Sequence, residues 1–259
     1  MRLVGERALV TGSTAGIGAG IAVELAAEGA RVVVTGRDRV RGEAVAATAR
    51  ERAGSNGGDA TFLAADLADE DACAELVDAA AARLGGLTVL VNNAASGARG
   101  DAAVAELATS AWEAILAVNL TAPMWCCRGA IPHLRAAGHG SIVNVSSRQA
   151  EQASRGLAAY ITSKGGLNAL TRSLAVDYAA DGIRANTVSP GYVLNDRRDA
   201  ELDDGRRARL EGMHLTRLGT ARDVALAVVY LASRESETVT GTILGLDGGS
   251  SAARGLVLG

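Results

Sequence analysis

Short β-branched or apolar runs alternate with Ala-rich helical stretches from one end of the chain to the other. This alternation restricts the fold more than any single motif does. The strand candidates are Ala8–Thr11, Arg31–Thr35, Ala60–Ala64, Thr88–Val91, Gly140–Val145, Arg184–Val188 and Thr242–Leu246. Helical patterns lie between them, near Gly16–Glu28, Arg39–Arg52, Glu70–Leu84, Ser110–Ala137, Leu157–Ala180 and Ala221–Ser233. Strands that are apolar on both faces and separated by helices imply a parallel sheet covered on both sides. Right-handed crossovers make this a doubly wound α/β fold, with a seven-stranded parallel sheet and ligands at the carboxyl ends of the strands. Two segments interrupt the pattern. Gly54-Ser55-Asn56-Gly57-Gly58 reads as a surface loop, and Asn195–Met213 as a charged insertion forming a helical lid over the substrate. With no internal repeat or linker, one domain spanning 1–259 is expected.

Charge and cysteine usage narrow the partners. The 29 acidic side chains outnumber the 26 basic ones, for a net charge of -3. Nucleic-acid binders carry a basic surplus, so that class is excluded. Of the basic residues 25 are Arg, and the one Lys is Lys164. Cys73, Cys126 and Cys127 are too few and too oddly placed for a disulfide framework, and the adjacent pair reads as small hydrophobes in an apolar stretch. A reducing cytoplasm is the expected compartment. Met1–Arg7 shows no apolar signal core, and charge interrupts the apolar runs before membrane-spanning length, so no membrane partner is expected. His133, His139 and His214 lack ligand spacing, and no metal is expected.

The first strand runs into Thr11-Gly12-Ser13-Thr14-Ala15-Gly16-Ile17-Gly18, and a helix follows at once. Glycines at 12, 16 and 18 let the backbone turn tightly and approach a pyrophosphate, while the helix start offers free N–H groups and a positive dipole end. The second strand ends in Thr35-Gly36-Arg37-Asp38. Dinucleotide folds often place a ribose-binding acid at this strand end; here Gly36 stands there and Arg37 follows. An Arg can pair with a 2′-phosphate, which favours NADP(H) over NAD(H). The alternative has Asp38 capping the next helix while Arg37 points into solvent. Asp66, after the third strand, is placed either to meet the adenine edge or to cap a helix.

Tyr160 and Lys164 are four residues apart in a helical pattern, which puts both side chains on one face. A phenol with its usual pKa near 10 is a poor proton carrier at neutral pH. A nearby ammonium favours the phenolate and brings it towards the range that a general acid/base needs.

With these motifs in view the chain resembles the short-chain dehydrogenase/reductase family, which has a Rossmann-type fold, over nearly its whole length. The family's T-G-x-x-x-G-x-G stands at Thr11–Gly18, and Asn92-Asn93-Ala94 follows the fourth strand where the family has N-N-A-G. Asn119 matches the family's helix Asn, which holds a water in the proton relay. Ser147 lies thirteen residues before Tyr160, the family's usual offset for the serine that bonds the substrate oxygen. Tyr160 and Lys164 match Y-x-x-x-K, Pro190-Gly191 match the turn beside the nicotinamide, and Thr240-Gly241 with Asp247-Gly248-Gly249 match the carboxyl-terminal signature.

The resemblance implies hydride transfer between a nicotinamide and a secondary alcohol or ketone, with Asn119, Ser147, Tyr160 and Lys164 as the catalytic set. It implies cofactor contacts from Gly12, Ser13, Thr14, Gly16, Ile17, Gly18, Arg37, Asp66, Leu67, Asn93, Tyr160, Lys164, Pro190, Gly191 and Val193. It also implies a homotetramer, a dimer of dimers, built on the long helices at Ser110–Ala137 and Leu157–Ala180. A 3-oxoacyl-[acyl-carrier-protein] reductase is a specific alternative. A non-catalytic nucleotide-binding regulator is the other, although it need not retain all four catalytic residues. Strand alternation turns Ser146 away from the face that presents Ser147. The sequence departs from the family pattern at Ala95, which replaces a Gly, and at Asn195, where many members have a carboxamide-binding Thr. The polar loop Arg148–Arg155, with Arg99, suits an anionic or strongly polar substrate, or else forms a solvated rim.

Overall fold

Successive side chains of each strand leave on opposite faces, and here both faces are apolar. Strand β1 (Arg7–Val10) sends Ala8 and Val10 into one core and Leu9 into the other. Strand β2 (Arg31–Gly36) divides Val32 and Val34 from Val33 in the same way. With β3 (Asp59–Ala64), β4 (Val89–Asn92), β5 (Gly140–Val145), β6 (Ile183–Pro190) and β7 (Ile243–Leu246) they form one parallel sheet ordered β3-β2-β1-β4-β5-β6-β7. Each of the seven predicted runs is a strand, its ends shifted by two residues at most. The order reverses between β1 and β4, which opens a crevice at their carboxyl ends. The computed structural model describes residues 1–67, 69–195, 199 and 202–252.

Helices α1 (Gly16–Ala27) and α2 (Arg39–Ala53) cover one face of the sheet, and α3 (Glu70–Leu84) the other. The predicted long helix at Ser110–Ala137 is two helices, α4 (Thr109–Leu116) and α5 (Ala122–Ala137), joined without a break in the rod by a π-turn at Ala117–Thr121. There the Ala122 N–H reaches back to the Ala117 carbonyl. Thr109–Ala137 does reach the length and apolarity of a membrane span, contrary to the expectation from the interrupting charges. In the fold α5 is a core helix, packing Cys126, Ala130 and Leu134 against α3 and the sheet. Helix α6 (Ala158–Asp177) follows on the same face.

Gly166 in α6 has a packing reason, because a Cβ there would meet Leu120 Cδ2 of the π-turn at 2.8 Å. Gly165 has none; a Cβ there would find only Ala150 O at 3.9 Å. The insertion carries α7 (Asp204–Glu211), a helix as expected, although residues 196–198 and 200–201 of the expected lid lie outside the described residues. All three cysteines are free and buried, and burial pushes the Cys127 thiol up to about 12.

Helix α8 (Ala221–Ala232) returns to the first face and begins with a capping box. Thr220 Oγ1 accepts from the Asp223 N–H, and the Asp223 carboxylate accepts from the Thr220 N–H at 2.8 Å. Arg217 adds a two-pronged ion pair to Asp223 at 2.6 and 2.7 Å and holds that carboxyl well below its ordinary range. A carboxyl depressed in the folded state contributes stability above its unfolded pKa and loses it as pH falls through its folded value. Thr220→Ala should therefore lower unfolding stability by about 1 kcal/mol in urea titrations at neutral pH. Asp223→Asn should weaken the protein at neutral pH and reduce its further loss of stability in acid.

Candidate active site

Tight backbone approaches build the phosphate loop. Gly12 has φ +62°, and a Cβ on it would lie 2.7 Å from Ala94 Cα. A Cβ on Gly18 would collide with Asn93 Nδ2 and the Gly12 carbonyl. Asn93 fixes this arrangement by donating to the carbonyls of Thr11 and Gly12, each at 3.0 Å. No side chain caps α1 at Ala15, and no acid lies in its first turn, so its leading N–H groups remain available to an anion. This cradle fits a dinucleotide pyrophosphate.

Ser13, an expected cofactor contact, turns its hydroxyl inward. Ser13 is fully buried; its hydroxyl donates to the Val10 carbonyl at 2.6 Å and accepts from the Thr35 N–H at 2.9 Å. Its own N–H bonds the Thr35 carbonyl, so the Ser13 hydroxyl and N–H tie the β1 and β2 ends together.

A cavity of about 460 Å³ extends from this loop, and Thr14, Gly36, Arg37, Asp66, Leu67, Asn93 and Ala95 are among its lining residues. Asp38 caps α2, its carboxylate accepting from the Arg41 N–H at 3.1 Å. Arg37 is largely solvent-exposed at the mouth of the cavity, which it helps to line, and it pairs with Asp66 at 3.7 Å. Asp66 caps no helix; Asp69 takes that role for α3. Ala95 is accommodated without backbone strain, because no non-glycine residue among the described residues has a positive φ.

A second cavity, about 190 Å³, lies farther along the carboxyl edge of the sheet. Ile17, Ser146, Ser147, Tyr160, Pro190, Gly191, Val193 and Asn195 line it. The Asn195 amide stands against the phosphate loop, 3.1 Å from where a Cβ on Gly16 would lie. Another cavity, of about 520 Å³, opens at the opposite, amino edge and contains none of the predicted site residues.

Strand β5 delivers Ser147 and α6 delivers Tyr160 and Lys164. Burial pushes the Tyr160 phenol above its ordinary value, and a hydrogen bond with Ser147 pulls the other way. Tyr–Lys spacing alone leads one to expect a depressed phenol, but burial dominates. The Lys164 ammonium lies 5.9 Å from the Tyr160 ring centroid and donates to the Val145 carbonyl at 2.9 Å. Lys164 is 3% exposed, and burial lowers its pKa to about 8. Ser146 turns its hydroxyl to the Lys164 carbonyl at 3.3 Å, although it lines the same cavity as Ser147.

Asn119 sits in the π-turn and is fully buried, with its side chain accepting from the Ser96 N–H at 2.9 Å and donating to Ser163 Oγ at 3.2 Å. π-Turns inside α-helices recur at functional sites. Among the described residues no group of three or more His, Cys, Asp or Glu is placed to hold a metal ion.

A family described as Enoyl-(Acyl carrier protein) reductase matches residues 12–251. The cis-4-hydroxycyclohexanecarboxylate dehydrogenase of Sinomonas cyclohexanicum is 40% identical over 95% of this chain and 96% of its own. The chain is a short-chain dehydrogenase/reductase. The 3-oxoacyl-[acyl-carrier-protein] reductase FabG of Chlamydia pneumoniae is 34% identical, covering 95% of this chain and 97% of its own. Among solved structures, a putative short-chain alcohol dehydrogenase from Sinorhizobium meliloti 1021 superposes with a TM-score of 0.90 at 34% identity, covering 98% and 99% of the two chains. As a family member the chain is a nicotinamide-dependent oxidoreductase acting on CH–OH groups.

The polar loop after Ser147 is fastened in part, while Glu151–Arg155 stay exposed. Arg148 donates to Ser250 Oγ at 3.1 Å and Gln152 to the Ser251 carbonyl at 3.1 Å, tying this loop to the carboxyl-terminal turn. Gln149 donates to Ser154 Oγ at 2.9 Å, while its own Oε1 is buried without a partner. Arg99 is exposed in the loop after β4.

Proposed function

We propose that this cleft interconverts a polar or carboxylated secondary alcohol and its ketone, with Tyr160 as general acid/base. The observation that carries the reading is the meeting of Tyr160 and Ser147 in one cavity, with buried Lys164 one helical turn away. When bound, the nicotinamide supplies or accepts the hydride. Ser147 orients the substrate oxygen and stabilises its developing charge. In reduction Tyr160 protonates that oxygen, and in oxidation it removes the hydroxyl proton. An ammonium has three donors, and the one spent on Val145 leaves Lys164 two for ribose hydroxyls. Asn119 holds the relay water, and the Asn195 amide bonds the carboxamide in place of the usual Thr.

NADP(H) is the preferred cofactor. No carboxylate stands at the end of β2, and the Arg37–Asp66 pair is a solvent-exposed one that is given up at little cost. Arg37→Ala should lower kcat/KM with NADPH by about tenfold and leave NADH nearly unaffected, the loss of one charge-assisted contact. Equal rates with both cofactors before and after the substitution would remove this assignment.

The polar rim and the named carboxylate substrate of the Sinomonas relative support a charged substrate. A panel of cis-4-hydroxycyclohexanecarboxylate, cyclohexanol and a 3-oxoacyl thioester, run with each cofactor, tests it. Preference for cyclohexanol over the carboxylate would contradict the reading, and preference for the thioester would favour the 3-oxoacyl reductase alternative.

The enzyme is proposed to be a cytoplasmic homotetramer of one-domain subunits, with the insertion as substrate lid. The three free cysteines suit a reducing compartment. A groove of about 350 Å³ between α5 and α6, including Met124, Ile131 and Leu170, supports pairing of these helices across a two-fold axis. Light scattering at micromolar concentration should give four times the 26.2 kDa chain mass. A monomer would refute the assembly.

A further inference from the structure

Tyr160 must present its phenol at a fixed place, yet the helix that carries it starts without a cap of its own. Leu157 precedes Ala158 and has no side-chain oxygen, so the first N–H groups of α6 lack a local acceptor. A distant loop supplies one. Asp101, between β4 and α4, accepts from the Ala159 N–H at 3.0 Å through Oδ1 and from the Tyr160 N–H at 2.8 Å through Oδ2. The Ala102 carbonyl takes the Ala158 N–H at 3.4 Å. Asp101 is itself oriented, because its Oδ1 also accepts from the Ala102 N–H at 2.9 Å.

The other end of the Tyr160 residue is held from the same loop. The Tyr160 carbonyl accepts from Ser163 Oγ at 2.7 Å, Ser163 accepts from Asn119 at 3.2 Å, and Asn119 accepts from the Ser96 N–H at 2.9 Å. The loop that follows β4 thus reaches the Tyr160 N–H directly and its carbonyl through two side chains.

We propose that Asp101 is a positioning residue for Tyr160, a helix cap provided across the cleft that fixes where the phenol stands. The inference rests on the acid/base reading of Tyr160 given above. A cap that served stability alone would leave the rate of the folded enzyme unchanged. A clamp on Tyr160 affects kcat, because a displacement of about 1 Å at the reacting group can cost on the order of 100-fold.

The test compares Asp101→Ala, Asp101→Asn and Tyr160→Phe with the parent, well below their melting temperatures. The probes are cis-4-hydroxycyclohexanecarboxylate and cyclohexanol with NADPH and NADH. Asp101→Ala should lose about 10- to 100-fold in kcat, with cofactor KM changed by less than about twofold. Asp101→Asn keeps one acceptor oxygen and a good capping side chain, so it should recover most of that loss. It also serves as the working variant if the Ala protein does not fold.

Amide hydrogen exchange at Ala159 and Tyr160 should be at least about tenfold faster in Asp101→Ala. An inactive Tyr160→Phe beside an Asp101→Ala protein with parental kcat overturns this inference alone. A fully active Tyr160→Phe, or a parent without turnover on any probe, overturns the acid/base reading instead. In that event unchanged exchange at both amides refutes the clamp as well.

Discussion

Tyr160→Phe should reduce turnover by about 1,000-fold or more while cofactor affinity stays within about twofold. The substitution removes one oxygen from a cavity already lined by Ser147, Pro190 and Val193, and it leaves the ring that packs there. In the proposed mechanism Ser147 can still orient a substrate oxygen, but no group remains to exchange its proton. Direction of reaction adds a second signature. In the proposed mechanism oxidation needs Tyr160 to accept a proton and reduction needs it to hold one. With burial keeping the phenol above its ordinary value, oxidation should rise towards alkaline pH and reduction should fall. In Tyr160→Phe both limbs should flatten. Steady-state rates across pH in both directions check this, and an unchanged profile would assign the proton transfer to another group.

Lys164→Arg should be nearly as damaging, lowering kcat/KM by about 100- to 1,000-fold although the charge is kept. The ammonium occupies a site 3% exposed and has one partner in the Val145 carbonyl. A guanidinium is larger, planar and permanently charged, so it neither fits that bond nor exchanges a proton near neutrality. Burial brings Lys164 to about 8, so the ammonium dominates below that pH and its support for the phenolate fades above it. The linked stability has a definite sign. Between about 8 and the unfolded value of 10.5 the unfolded chain binds more protons, so the folded state gains stability as pH rises. Lys164→Met should remove that rise in urea titrations. Near-normal activity in Lys164→Arg would show that the lone lysine is not a proton-relay group.

The sequence made the scaffold legible because parallel strands covered on both sides need uninterrupted apolar runs, and Val32-Val33-Val34 can mean little else. The site was legible in part for a similar reason. Gly12 and Gly18 stand where a Cβ would collide, so their identity is dictated by contacts the motif encodes.

Features set by long-range contacts were not legible. Ala117–Thr121 reads as ordinary helix, and only packing of Leu120 against Gly166 and the bonds of Asn119 mark the π-turn. Ser13 stands in the glycine-rich loop but turns its hydroxyl inward to the seam between β1 and β2. Asp101 lies in a polar loop without periodicity, 58 and 59 residues from the amides it accepts. One signal could have found it. A helix beginning after Leu157 has no capping side chain and must borrow an acceptor from elsewhere.

Hydride transfer to a carbinol carbon is the central step of the proposed reaction, and isotope tracing tests it most directly. Cofactor deuterated at nicotinamide C4 would be incubated with 4-oxocyclohexanecarboxylate, and the alcohol formed examined by mass spectrometry and NMR. The account predicts one deuterium per product, on the carbinol carbon, in ordinary water. Product alcohol without deuterium, or deuterium acquired at that carbon only from heavy water, would contradict it.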